Sequence, residues 1–148
     1  MNKQYNDDIQ PVTPVDYPQL MEVWESSVKA THQFLSEADF EFYKSILPSF
    51  FPQVKMHCIK DTGNKILGFL GTQNNTLEML FVRDGYRGMG FGKRLLQYAV
   101  QALDVSKVDV NQQNDQARVF YYQQGFRMKR FSRNDGFGKP YPLWHMEL

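Results

Sequence analysis

Arg87, Gly88, Gly90, Gly92, Lys93 and Arg94 stand together where a strand-like run, 77–82, gives way to a helical pattern. Residues of these types at such a junction can hold a phosphate or pyrophosphate. Alternating glycines expose backbone N–H groups and remove the Cβ atoms that would block a close ligand. The first turn of a helix adds unpaired N–H donors and a partial positive charge. The three cations add full charges beside it. Two common phosphate motifs fail on spacing. A P-loop needs a glycine five residues before its Gly-Lys-Ser/Thr. Here Arg87 stands at that place, and Gly92 and Lys93 are followed by Arg94. A dinucleotide fingerprint, Gly-x-Gly-x-x-Gly, is one residue longer than the run Gly88, Gly90, Gly92.

These groups need elements to position them, and the periodicity supplies a set. Residues 9–13 read as a short strand bounded by Pro11 and Pro14. Asp16 can N-cap a helix with Pro18 in its first turn, and Leu20, Val23, Trp24 and Ser27 share one face. Ser36 opens a second helix with Asp39 at the capping-box position. Phe40, Tyr43, Ile46 and Leu47 form its stripe, and Pro48 and Pro52 end it. Strands at 54–60, 65–72 and 76–82 follow, joined by the turn 61–64 and a tight hairpin at Asn74 and Asn75. Leu95, Leu96, Ala99, Val100 and Leu103 mark a helix. A strand at 108–111 must run parallel to the one before it, because a helix joins them. A helix from Asn114 to Gly125, a strand at 126–131, a polar loop at 132–140 and an alternating strand at 143–148 complete the chain. This order supports an α/β (α+β) sandwich with a mostly antiparallel sheet and one parallel crossover.

A chain of 148 residues suits one domain, 1–148, with a sizeable core. No apolar run is long enough to span a membrane, and the start carries no apolar signal-peptide core. Cys58 is the only cysteine, which excludes an internal disulfide and a Cys-based metal site. On a strand it is expected to be a buried, inert thiol. His32, His57 and His145 lack the spacing of a zinc motif, so no metal is expected. A soluble, cytoplasmic protein follows, monomer or homodimer, with no membrane partner. Residues 1–52 carry Asp7, Asp8, Asp16, Glu22, Glu25, Glu37, Asp39 and Glu41 against Lys3, Lys29 and Lys44, so the remainder is basic. No basic run interleaved with aromatics and no DNA-binding motif is present, which argues against nucleic acid.

The pattern that does fit is Arg87-x-x-Gly90-x-Gly92, which resembles the acetyl-CoA pyrophosphate loop (Arg/Gln-x-x-Gly-x-Gly/Ala) of the GNAT N-acetyltransferase superfamily. Asn114, Ala117, Phe120, Tyr121, Gly125 and Phe126 are similarly spaced to that superfamily's Asn-x-x-Ala-x-x-Phe-Tyr-x-x-x-Gly-Phe helix. The resemblance covers residues 60–148, and the first 55 residues by general layout. It implies a GNAT-like acyl-CoA N-acyltransferase fold with the cofactor at splayed parallel strands. Acetyl-CoA is the implied cosubstrate, and its phosphates account for the basic half of the chain.

Acetyl transfer from a thioester to an amine requires a polarised carbonyl, a neutral amine and a protonated leaving thiolate. An alkyl ammonium has a pKa near ~10 and a thiol near ~8.5. A base must therefore take a proton at neutral pH, and an acid near the sulfur helps departure. The resemblance assigns Leu80, Phe81 and Val82 to backbone pairing with the pantetheine arm. An N–H near Leu80 or Phe81 would polarise the acetyl carbonyl. It assigns the pyrophosphate to Arg87, Gly88, Met89, Gly90, Phe91, Gly92 and Lys93. Tyr121 occupies the general-acid position, with Tyr122 as an alternative, and Asn114 would cap its helix and bond to CoA. Glu78 is the candidate base, on the side of the strand shared with Val82 by alternation. His32, between the two helices that overhang the acceptor groove in the superfamily, is a candidate for binding or proton relay. Asn111, opposite Glu78, and Tyr141, before the last strand, are further substrate candidates. His145 would line the groove or face solvent. The implied function is N-acetylation of a small-molecule primary amine. A non-catalytic acyl-CoA-binding module and a protein lysine or N-terminal acetyltransferase are the alternatives. The acidic first helices, with Glu22, Glu25, Glu37 and Glu41, lead to the expectation of a cationic acceptor.

Overall fold

A computed structural model describes residues 9–148; Lys3, Asp7 and Asp8, which enter the charge count above, lie outside them. The elements in order are β1 (Gln10–Pro11), α1 (Tyr17–Thr31), α2 (Glu37–Phe50), β2 (Lys55–Lys60), β3 (Ile66–Gln73) and β4 (Thr76–Val82). Then come α3 (Phe91–Ala102), β5 (Lys107–Asn111), α4 (Asp115–Gln123), β6 (Arg127–Ser132) and β7 (Leu143–Glu147). The strands form one mixed sheet in the order β1-β2-β3-β4-β5-β7-β6. Only β4 and β5 pair in parallel among the described strands; α3 makes that crossover.

Helices cover both faces. Leu67, Leu70, Leu95, Leu96, Ala99 and Phe126 pack on the α3 side, and Leu20, Val23, Trp24, Val28, Phe51 and Phe69 on the α1 side. Packing rather than capping fixes α1. Its N-cap Asp16 makes no side-chain cap bond. A cap contributes about 1 kcal/mol, whereas burying each of four large apolar side chains contributes about 1.5–3 kcal/mol.

Three local expectations change. The Asp16 carboxylate turns away from α1, accepts from the Thr13 N–H at 2.9 Å and pairs with Lys60 at 3.1 Å. Pro48 does not end α2, which continues to Phe50 before a 3-10 turn over Phe51–Gln53 that contains Pro52. Ser36 caps α2 by accepting from the Asp39 N–H at 3.1 Å, but the Asp39 carboxylate reaches the far loop instead of closing a box.

Two irregularities of β4 create the site. Its pairing with β5 stops after Thr76–Lys107 and Leu77–Val108, and the strands then part. Against β3, Thr72 faces Leu77 while Gly71 faces Met79, so Glu78 is the extra residue of a β-bulge. Strict alternation therefore fails at Glu78. Leu77, Leu80 and Val82 belong to the α3 side, Met79 and Phe81 to the α1 side, and Glu78 stands at the change.

Candidate active site

The gap between the diverging strands opens into a cleft of about 650 Å³. Its walls include Leu80, Phe81 and Val82 of β4, Val108, Val110 and Asn111 of β5, and Arg87, Gly88, Gly90, Phe91, Gly92 and Lys93 of the loop and first turn of α3. Gly88 and Gly90 adopt φ of 77° and 88°, a region that glycine enters without a Cβ penalty. A Cβ built on either would meet no atom of the other described residues within 4 Å beyond its chain neighbours, so the space above them is open for a ligand. Arg87 is held beside this space by Gln116 at 3.2 Å and Asp84 at 3.6 Å. The exposed Met89 side chain is not part of the wall.

Tyr121 and Asn114 of the α4 segment reach the same cleft. Tyr121 is 8% exposed, with its ring edge-on to Phe120 and Phe126. Burial raises its hydroxyl pKa, so the phenol stays protonated. Tyr122 points away, exposed beneath the Arg127 guanidinium. Asn114 uses its side-chain oxygen to cap α4, accepting from the Ala117 N–H at 3.1 Å.

A second cavity of about 510 Å³ lies between α1, α2 and the 133–142 loop. It shares His32, Glu78, Met79, Phe81, Asp109 and Asn111 with the cleft. Trp24, Phe34, Tyr43, Phe50, Phe137 and Tyr141 give it aromatic walls. Its charged lining residues are Glu78, Asp109 and Asp135. The 133–142 loop is tied across α2: Tyr43 donates to Asp135, Tyr141 donates to Asp39, and Lys139 pairs with Asp39 at 2.8 Å. Asn111 turns its side-chain oxygen to the Gln113 N–H at 3.0 Å.

Glu78 opens onto solvent through the cleft, yet the surrounding walls raise its pKa by desolvation, and the Asp109 carboxylate raises it further. His32 is lowered to about 4 by burial, so the ring is neutral at pH 7. Its tautomer follows from its partners. The single Thr31 hydroxyl proton goes to the Ser27 carbonyl at 2.7 Å. The His32 Nδ1–H must then donate to Thr31 Oγ1, also at 2.7 Å, which leaves Nε2 an acceptor.

Stability should record this histidine. From pH 6.5 down to about 4 the unfolded chain binds a proton at His32 that the folded chain does not. Folding is therefore expected to weaken as pH falls through that window, by about 3 kcal/mol from this group. His32→Gln should remove this part of the slope in urea unfolding series between pH 7 and 4. His57, also lowered by burial, contributes equally to both proteins. Equal slopes would show that His32 titrates freely in the fold.

The expected acids of the first helices do not line the second cavity. Glu22 pairs with Arg83, and Glu25 with Lys29 and Lys44; Glu37 and Glu41 are exposed on α2. Asp109 was not foreseen. Its signal was present, because Val108 and Val110 are apolar and alternation sends Asp109 to the other face of β5. His145 lines neither cavity and stands on β7 directly opposite Asp109.

A family model for the acetyltransferase (GNAT) domain matches residues 23–141. The peptidyl-lysine N-acetyltransferase YjaB of Salmonella typhimurium is 33% identical over 127 residues, covering 86% of this chain and 88% of that protein. The solution structure of apo-form YjaB from Escherichia coli matches with a TM-score of 0.86 and 30% identity, over 95% of each chain. The PaiA N-acetyltransferase of Thermoplasma acidophilum, in complex with coenzyme A, shares the fold with a TM-score of 0.71 and 21% identity, over 95% of this chain and 98% of that one. With most of its length matched in this way, the chain belongs to the GNAT acetyltransferases and is an N-acetyltransferase.

Proposed function

We propose that the chain, as a single domain, moves an acetyl group from acetyl-CoA to the primary amine of a small cationic molecule by direct attack. The observation that supports this reading is the wall common to the two cavities, across which an acceptor on one side would meet a cofactor on the other. The open space over Gly88 and Gly90, flanked by Arg87 and Lys93, fits a pyrophosphate. The β5-facing edge of Leu80, Phe81 and Val82, paired with β3 but without a β5 partner beyond the parting, fits an extended amide-bearing arm. When bound, acetyl-CoA supplies the activated acyl group as a thioester. Glu78 accepts the ammonium proton, directly or through water. Tyr121 donates to the departing sulfur. The proposed setting is the cytoplasm, as monomer or homodimer, with neither nucleic acid nor membrane as partner.

Aromatic walls whose charged groups, among the described residues, are carboxylates suit an alkyl ammonium on an apolar shaft. The loop tied across α2 favours an amine entering end-on over a peptide lying lengthwise. Diamines, polyamines and lysine derivatives are therefore expected to outperform glutamate-like amines. Their apparent affinity should weaken with salt, since screening acts within ~10 Å at moderate ionic strength. An amine screen that follows release of the CoA thiol tests this. Acidic amines as best acceptors, with no salt effect, would sink the charge assignment. A second reading, a lysine on a protein surface, is favoured by the name of the Salmonella relative, a peptidyl-lysine N-acetyltransferase. It would replace the first if protein lysines are acetylated faster than any free amine in the same assay.

A further inference from the structure

Three side chains, one in the shared wall and two behind it, form a hydrogen-bonded row that the proposed chemistry has not used. Ser132 Oγ lies 2.7 Å from His145 Nε2, and His145 Nδ1 lies 2.6 Å from Asp109 Oδ1. They come from three adjacent strands, β6, β7 and β5. The composition is that of a serine nucleophile with its base and orienting acid, but the order relative to substrate is inverted. In a hydrolase the serine faces the substrate. Here Asp109 lines both cavities, and neither Ser132 nor His145 belongs to their walls. The carboxylate is the working end, and the imidazole and hydroxyl stand behind it.

Asp109 also has a second carboxylate beside it. Leu77 and Val108 are the last paired residues before β4 and β5 part, so Glu78 and Asp109 follow side by side at the mouth of the gap. The neighbouring carboxylate makes Glu78 the stronger proton acceptor once it is ionised. Asp109 is held by the imidazole N–H, a hydrogen bond to a charged acceptor. Glu78 sits on a bulge, desolvated, with its pKa raised.

We propose that the Ser132–His145–Asp109 row divides labour between the two carboxylates, so that Asp109, fixed by His145, binds the acceptor's ammonium while Glu78 takes its proton. The inference rests on the reading of the second cavity as the acceptor site. In the step, one ammonium N–H bond breaks and an O–H bond forms on Glu78. The electron pair stays on nitrogen, which then attacks the thioester carbonyl. His145 is a positioning residue: its Nδ1–H fixes one oxygen of Asp109, and Ser132 fixes the tautomer by donating to Nε2. If the imidazole gains a proton, Ser132 can accept instead, because a hydroxyl does both. The row is thus satisfied in either state.

Other charged or titratable groups face this one from each packed element. They are Arg130 opposite His145 on β6, the Lys107–Glu147 pair one step along β5 and β7, His32 at the end of α1, Tyr43 of α2, and Asp135 of the loop. Each is unchanged in the variants that follow.

The test is steady-state kinetics with a diamine acceptor across pH 5.5–9. Asp109→Asn should raise the amine KM about tenfold or more, the scale of a lost hydrogen bond to a charge, with acetyl-CoA KM unchanged. It should also move the acid limb of kcat/KM to lower pH, because Glu78 loses its anionic neighbour. A merely structural residue would not move that limb. His145→Ala should raise the amine KM similarly, and His145→Asn, which keeps an N–H donor near Nδ1, should restore most of it. An unmoved acid limb in Asp109→Asn, or no advantage of His145→Asn over His145→Ala, overturns the proposal. Nitrogen NMR of the imidazole provides a readout that needs no acceptor. His145 should show the Nδ1–H tautomer in the wild type and lose that preference in Asp109→Asn. If the tautomer is as stated but no amine turns over, the acceptor reading fails, not the row. A wild-type Nε2–H tautomer overturns the row itself.

Discussion

Gly90→Val is expected to lower CoA affinity about a hundredfold or more while the chain remains folded. Gly90 precedes α3 with φ of 88°, and an added Cβ there would meet no atom of the other described residues within 4 Å beyond its chain neighbours. The side chain would instead project into the space assigned to the pyrophosphate. Hydrogen bonds to a charged group contribute about 1.5–3 kcal/mol each, so displacing the phosphates from two N–H groups is enough for the stated loss. A β-branched residue at this φ costs about 1–3 kcal/mol of strain. That cost lowers the unfolding midpoint without abolishing a cooperative transition. Calorimetry with CoA, dephospho-CoA and NADH, beside an unfolding curve, separates the two effects. Wild-type affinity for CoA in the variant would remove the loop from the binding site. Tight NADH binding by the wild type with no CoA binding would replace the ligand.

Tyr121→Phe is expected to lower turnover roughly ten- to a thousandfold, in the range of general acids or somewhat below it, with acetyl-CoA affinity little changed. The buried phenol is neutral across the working range, because burial raises its pKa. A thiol near ~8.5 is the stronger acid of the two, so complete transfer to the thiolate is uphill. The gain comes from a hydrogen bond that strengthens as charge develops on sulfur. No basic limb from Tyr121 should therefore appear in the pH–rate profile below about pH 10. Pre-steady-state rates with the phenylalanine variant test this. Unchanged rates, with chemistry limiting, would leave Tyr121 a packing residue between Phe120 and Phe126.

The glycine loop, the α4 segment and the strand order up to β5 were legible because each depends on local chemistry. Turn residues, caps and periodicity are written within a few positions of one another. Asn114 capping α4 and Asn74 at φ 56° are examples. Glu78 was legible as a residue of β4, but its aim was not. The bulge that redirects it is a register shift against β3, which alternation within one strand does not reveal. The Ser132–His145–Asp109 row was hidden for a stronger reason. It needs β7 to insert between β5 and β6, a long-range choice that nothing in residues 143–147 encodes locally. The acidic first helices misled in a third way. Formal charge in a sequence carries no partners, and Glu22 and Glu25 are paired with Arg83, Lys29 and Lys44.

An acceptor in the second cavity and a thioester in the cleft are expected to meet at the wall containing Glu78. A bisubstrate analogue tests it most directly: CoA joined at sulfur, through an acetyl-sized linker, to one nitrogen of a diamine. Binding is measured by calorimetry against CoA alone. The analogue is expected to bind at least about a hundredfold tighter than CoA, because the second moiety binds without a further loss of translational freedom. Glu78→Gln should reduce that advantage. An analogue that binds no tighter than CoA would contradict the account, since the two cavities would then not be joined across that wall.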